Sequence, residues 1–404
     1  MPRTLRDLES SEVARKRALV RVDYNVPLEG GRVADATRVE ASLPTLRWLL
    51  ERDVRPVLLS HLGRPGGEPR DDLSLAPVAR TLEDLLGSPV RFAAPCDGQE
   101  AREAVRALEF GQTLLLENTR FLPGETKNDR DLARRLARLG DLFVSDAFGS
   151  LHRAHASTVG VTEFLRPAVA GLLVEREVER LGALADPPRP FVVAFGGAKI
   201  GDKIELLRAF LDRSDRLLVG GAMANTFLRA RGHAMGRSLV EEEAVDFARE
   251  ILDAAGDRVE LPSDLTVTDG VGDPASRVWT VRADRVPEDA AAVDIGPVTQ
   301  EAYGSALTGS ASFFWNGPMG LFEDERFAAG TFALARAAAR ATEAGCLTVI
   351  GGGDSASAVR AAGLSDAVSH VSTGGGAALE YLSKGRLPGL EALDPARGTS
   401  AIDS

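Results

Sequence analysis

The sequence predicts an α/β protein built from two doubly wound, Rossmann-like parallel-sheet domains. Short apolar runs rich in β-formers alternate with longer helical patterns from end to end. Polar, chemistry-bearing residues cluster where those apolar runs stop. At 404 residues the chain is also too long for one ordinary core.

In chain order, the strand candidates of the first part are residues 18–22, 54–59, 113–116 and 142–144, interleaved with helical patterns at 43–51, 76–86 and 131–139. Those of the second part are 191–194, 216–219, 312–315, 347–350 and 369–371, with helices at 204–211, 241–255 and 331–344. Such alternation calls for right-handed crossovers and sheets covered on both faces. Residues 171–185 read as a helix rich in Glu and Leu, broken by Asp186-Pro187-Pro188-Arg189-Pro190. The expected layout is a first domain at 1–170, a connecting helix at 171–186 and a second domain at 187–388. A weakly patterned tail, 389–404, is expected to pack back on the first domain.

Composition narrows the function. No apolar run reaches the roughly 18 residues of a membrane span, and the first residues lack the apolar core of a signal peptide. The two cysteines, Cys96 and Cys346, imply no disulfide framework, so a cytoplasmic protein is expected. A net charge of −11 argues against nucleic acid as a partner. Residues 1–170 carry 25 basic and 25 acidic residues, so the acidic excess lies in the second part and the first is free to receive an anion.

In the first part, the strand ends deliver a basic set. Residues 18–22 lead into Asp23-Tyr24-Asn25, and Arg38 follows shortly, just before a helix. Residues 54–59 lead into Ser60-His61-Leu62-Gly63-Arg64-Pro65, 113–116 into Glu117-Asn118-Thr119-Arg120, and 142–144 into a loop holding His152, Arg153 and His155. Ligands of open α/β sheets bind outside the carboxyl ends of the strands, and guanidinium groups there suit carboxylate or phosphate.

The second part reads as a nucleotide site. Gly196-Gly197-Ala198-Lys199-Ile200-Gly201-Asp202-Lys203 is a near miss to a P-loop, with Ile204 where a magnesium-binding hydroxyl belongs. Gly351-Gly352-Gly353-Asp354-Ser355-Ala356 satisfies a dinucleotide fingerprint, which makes an NAD-binding Rossmann-type oxidoreductase the alternative. The acidic residue that fingerprint needs is absent, because the next strand ends in Ser372-Thr373-Gly374-Gly375-Gly376. Free N–H groups at a helix start still suit phosphate, Asp354 suits Mg2+ and Glu323 suits ribose hydroxyls.

Taken together, segments 21–27, 60–65, 116–129, 146–158, 196–203, 220–228, 315–323, 351–355 and 372–380 resemble the phosphoglycerate kinase family over nearly the whole chain. The resemblance implies two domains facing each other across a hinged cleft, and reversible phosphoryl transfer from 1,3-bisphosphoglycerate to ADP in glycolysis and gluconeogenesis. It implies phosphoglycerate binding by Asp23, Asn25, Arg38, His61, Arg64, Arg120 and Arg153. Lys203, Gly296, Glu323, Gly352, Gly353, Asp354 and Ser355 would bind ATP or ADP, with Mg2+ on Asp354. Arg38, Lys199 and Gly375 would stand at the transfer point, and the protein would act as a monomer. Ala222 and Asn225 depart from the family's usual Gly and aromatic residue, which blurs the base pocket; Phe195 and Gly201 are milder changes.

Overall fold

Strands that are buried along almost their whole length, with β-branched and leucine side chains on both faces, can only sit inside a sheet covered on both sides. The computed structural model, which describes residues 2–393 apart from the side chain of Asp202, contains two such sheets. The chain divides into two compact units, Met1–Glu179 with the segment from Arg386 onward, and Arg180–Gly385.

The first unit runs β1 (Arg17–Val22), α1 (Thr37–Leu50), β2 (Arg55–Leu59), α2 (Ala76–Leu86), β3 (Val90–Ala93), α3 (Gly98–Arg106), β4 (Thr113–Leu116), α4 (Arg130–Ala137), β5 (Leu142–Asp146) and β6 (Ala168–Ala170). Its main sheet has six parallel strands in the order β3-β4-β2-β1-β5-β6. At the centre Leu19 is in register with Val57 on one side and Phe143 on the other. Beneath this sheet, Val20, Leu46, Leu58, Val78, Leu82 and Val144 form one buried apolar cluster. Helix α5 (Leu172–Gly182) then carries the chain into the second unit.

The second unit continues with β7 (Phe191–Phe195), α6 (Ile204–Leu211), β8 (Arg216–Val219), α7 (Gly221–Ala230), α8 (Val245–Ala255) and β9 (Val259–Glu260). An antiparallel insert follows, β10 (Asp264–Thr268), β11 (Val278–Arg282) and β12 (Ala291–Ile295). After it come α9 (Pro297–Ala306), β13 (Ser312–Asn316), α10 (Ala329–Glu343), β14 (Leu347–Gly351), α11 (Gly353–Ala361), β15 (His370–Val371) and α12 (Gly376–Lys384). The main sheet is parallel in the order β9-β8-β7-β13-β14-β15, the doubly wound order with its switch point between β7 and β13.

Four differences from the sequence expectation have physical reasons. Helix α1 begins at Thr37, not at residue 43, because Asp35 Oδ1 accepts the Thr37 N–H (2.9 Å) and Pro44 is tolerated inside the helix. The insert β10–β12 was not anticipated: half-exposed β11 is read from alternation too short to stand out. Edge strands β3 and β6 are likewise short, four and three residues. The segment from Arg386 belongs with the first unit, three residues before the expected start of the tail. It is tied there by Gly389 N–H to Leu151 O (2.9 Å) and Arg166 Nη2 to Ala392 O (3.3 Å). The rest of the expected tail, 394–404, lies outside the described residues.

Candidate functional site

Strands β4, β2, β1 and β5 are neighbours, so their carboxyl ends place Arg120, His61 with Arg64, Asp23 with Asn25, and Arg153 along one sheet edge. Hydrogen bonds lock the loops together. Arg38 Nη1 donates to Asp23 Oδ2 (2.9 Å), Asn25 Oδ1 accepts the Gly63 N–H (2.8 Å), and Arg120 Nη1 donates to Gly63 O (2.7 Å). Arg64, Arg120 and Arg153 share a pocket of about 430 Å³ with Thr126 and Lys127. Arg64 and Arg153 are exposed there, whereas Arg120 is half-buried with its Nε lacking a hydrogen-bond partner among the described residues.

The pocket is short of negative charge. Burial, aided by the nearby Arg21 and Arg153 guanidinium groups, pulls Arg120 down to about 10. Burial and the surrounding arginines hold His155 at about 4, and burial keeps His61 well below its ordinary value although Asp23 opposes this. Asp23 itself would be raised by burial, but the charges around it, Arg38 and Arg21 among them, outweigh that and leave it lowered. Arg21 Nη2 lies 3.0 Å from His61 Nδ1; a guanidinium only donates, so the ring's proton is on Nε2. An arriving dianion would relieve this mutual repulsion among cations.

Sequence reasoning missed the frame behind these residues. Buried Arg21 donates through Nε to Ser157 Oγ (2.9 Å), and Ser157 Oγ donates in turn to buried Glu125 Oε1 (2.5 Å). Asn118 Oδ1 accepts from Leu62 N (3.2 Å) and Arg120 N (3.0 Å), which sets the β2 and β4 loops against each other. The one available signal was the density of polar residues in strand-end loops, which should otherwise be solvated.

In the second unit the switch point is made almost entirely of backbone. Gly196 N donates to Asn316 O (3.0 Å) and Gly197 N to Pro318 O (2.8 Å), and a Cβ on Gly317 would sit 2.2 Å from Gly196 O. Lys203 Nζ crosses this seam to Gly196 O (2.5 Å) and Asn316 O (3.3 Å). Ser355 is buried, and its Oγ accepts the Gly317 N–H (2.6 Å). The structure therefore brings Lys203 and Ser355 to one seam, whereas Lys199, Glu323, Gly353 and Asp354 are exposed.

Helices α11 and α12 start at Gly352 and Gly375, caps with φ of 89° and 51° that supply no side chain to their first N–H groups. Helix starts capped in this way suit an anion. Two other turns are already filled. Glu241 accepts the N–H groups of Ile200 (2.5 Å) and Gly201 (3.3 Å), so the near-P-loop turn is occupied by an internal carboxylate. Asp264 accepts the N–H groups of Val298 (3.1 Å) and Thr299 (2.8 Å) at the start of α9, and Gly296 is the residue that makes room for that carboxylate.

The family model described as phosphoglycerate kinase matches residues 6–385. Among curated relatives, a phosphoglycerate kinase of Moorella thermoacetica is 52% identical over 395 residues, covering 96% of this chain and 98% of the relative. One of Thermus thermophilus is 53% identical over 398 residues, covering 97% and 100%. This chain belongs to the phosphoglycerate kinase family. Among solved structures, the phosphoglycerate kinase from Coxiella burnetii matches with a TM-score of 0.85 at 38% identity, and that from Pyrococcus horikoshii with 0.85 at 31%, each covering 97% of this chain and 98% of the other. A phosphoglycerate kinase is a phosphotransferase with a carboxyl acceptor, and the oxidoreductase alternative suggested by Gly351–Ala356 is set aside. No helix among the described residues is long and apolar enough to cross a membrane.

Proposed function

We propose that the first unit holds 3-phosphoglycerate or 1,3-bisphosphoglycerate and the second holds Mg-ADP or Mg-ATP, with phosphoryl transfer carried out between the two ligands. The observation that carries this reading is the asymmetry of the two sheet edges. One bears convergent arginines short of negative charge, the other uncapped helix starts set in a glycine-rich seam.

Arg64, Arg120 and Arg153 hold the phosphate of the three-carbon acid, and Asp23, Asn25 and the Nε2–H of His61 orient its carboxylate and hydroxyl. On the nucleotide, the N–H groups following Gly352 and Gly375 receive phosphate oxygens, Lys203 and Ser355 fix the seam beneath them, Glu323 takes the ribose and Gly296 borders the base. The residues present fit Mg2+: the Asp354 carboxylate in the first turn of α11 is exposed and unshared among the described residues, and Mg2+ uses one or two carboxylates together with substrate phosphates. When bound, the ion neutralises charge on the phosphates. No general base is needed, because the attacking oxygen is already anionic; positioning and positive potential from Arg38, Lys199 and the Gly375 helix start do the work. The reading includes a monomeric, cytoplasmic enzyme.

The test is a coupled assay of ATP consumption on the purified, folded protein. Turnover is expected to require both 3-phosphoglycerate and magnesium. Arg38→Ala is expected to lower kcat by on the order of 100-fold with little effect on nucleotide affinity. Near-normal turnover of that variant would remove Arg38 from the transfer point.

A further inference from the structure

We propose that Glu241 is a positioning residue for Lys199, acting through the backbone of the turn between β7 and α6; this rests on the reading of Lys199 as a cation at the transfer point. The Glu241 carboxylate accepts the N–H of Ile200 at 2.5 Å and that of Gly201 at 3.3 Å. Glu241 Oε1 lies close over residue 201, where a Cβ would sit 2.9 Å from it.

Glu241 is itself held. Its N–H donates to Oγ1 of buried Thr226 on α7 (3.0 Å), and Asn225 Nδ2, also on α7, donates to Leu239 O (3.2 Å). The other end of the turn is tied to the same helix, since Met223 N donates to Gly197 O (3.0 Å). Beyond it, Lys203 anchors the turn to Gly196 O and Asn316 O. Lys199 thus stands exposed between two tethers that both lead to α7, and only one of them is a side chain that can be changed without touching the seam. A flexible ammonium loses much of its worth to a transition state when its backbone wanders by about 1 Å, a displacement that costs up to ~100-fold in rate.

Steady-state kinetics on Glu241→Ala, Glu241→Gln, Lys199→Ala and the double variant Glu241→Ala/Lys199→Ala test this. Glu241→Ala is expected to lose about 10- to 100-fold in kcat while its KM for 3-phosphoglycerate stays within about twofold. Glu241→Gln, whose amide oxygen still accepts both N–H groups, is expected to retain most of the activity. The double variant should be no slower than Lys199→Ala, because Glu241 acts through that lysine. If Glu241→Ala does not fold, Glu241→Asp, one methylene short, is expected to show the same kcat loss in milder form. Multiplying losses in the double variant, or normal kcat in Glu241→Ala beside an impaired Lys199→Ala, overturn the role of Glu241. Normal turnover in Lys199→Ala instead overturns the reading of Lys199 on which it rests.

Discussion

At the scale of single residues, the arginine-lined sheet edge of the first unit is governed by how its charges constrain one another. Arg21 is fully buried, and its Nη2 contact fixes His61 as a neutral ring with the proton on Nε2. Burial and the arginines around it keep His61 well below its ordinary value, although Asp23 pulls the other way. The imidazole resonances of His61 are therefore expected to show no titration between about pH 6 and 8, where a free histidine would titrate near 6.5. An NMR titration with an inflection in that window would mean a charged His61 and a different electrostatic balance in the pocket. Arg64, Arg120 and Arg153 were legible in the sequence because arginines following strands have few other reasons to cluster. Lys127 was not, since one lysine in a polar loop resembles any solvated surface lysine.

At the scale of elements, helix starts decide most of what the site can bind. The glycine-rich turn after β7 reads in sequence as a near miss to a P-loop, and in the structure Glu241, 41 residues from Ile200, accepts the N–H groups of Ile200 and Gly201. No local pattern announces that partner. At Gly352 and Gly375 the structure starts helices where the sequence reading expected them, with glycine as the cap.

Helix α5 shows a different use of a carboxylate. Asp146, at the end of β5, accepts the Leu173 N–H (2.9 Å), and its other oxygen is buried with no hydrogen-bond partner among the described residues. Burial raises Asp146 to about 7 despite the hydrogen bonds it accepts. A carboxyl that binds its proton more tightly when folded than unfolded contributes stability at low pH, and that contribution is lost as pH rises from about 4 to about 7. Asp146→Asn removes the titration but keeps an oxygen for Leu173. Its stability relative to the parent is expected to rise across that window, by up to roughly 4 kcal/mol, and then level off. Urea unfolding of both proteins at pH 4.5 and 8 checks this; a difference that does not change with pH would mean Asp146 titrates normally.

At the scale of the whole molecule, the two parallel sheets were legible because strands buried on both faces leave continuous apolar runs, as at residues 142–144 and Phe191–Phe195. The antiparallel insert at 264–295 escaped notice because β11 and β12 are partly exposed and leave no continuous apolar run. Sheet order was legible only as a class: the placement of β5 beside β1, which helps gather the arginines, depends on pairings between residues more than a hundred positions apart.

The central claim is that each ligand has its own sheet edge. Amide chemical-shift mapping on the isotope-labelled full chain tests it directly. Saturating 3-phosphoglycerate is expected to move the resonances of Asn25, Gly63, Arg120 and Arg153 while leaving Gly353 and Gly376 nearly still, and Mg-ADP is expected to do the reverse. Shifts from 3-phosphoglycerate centred on the glycine-rich turns after β14 and β15, with the arginine loops unmoved, would contradict it.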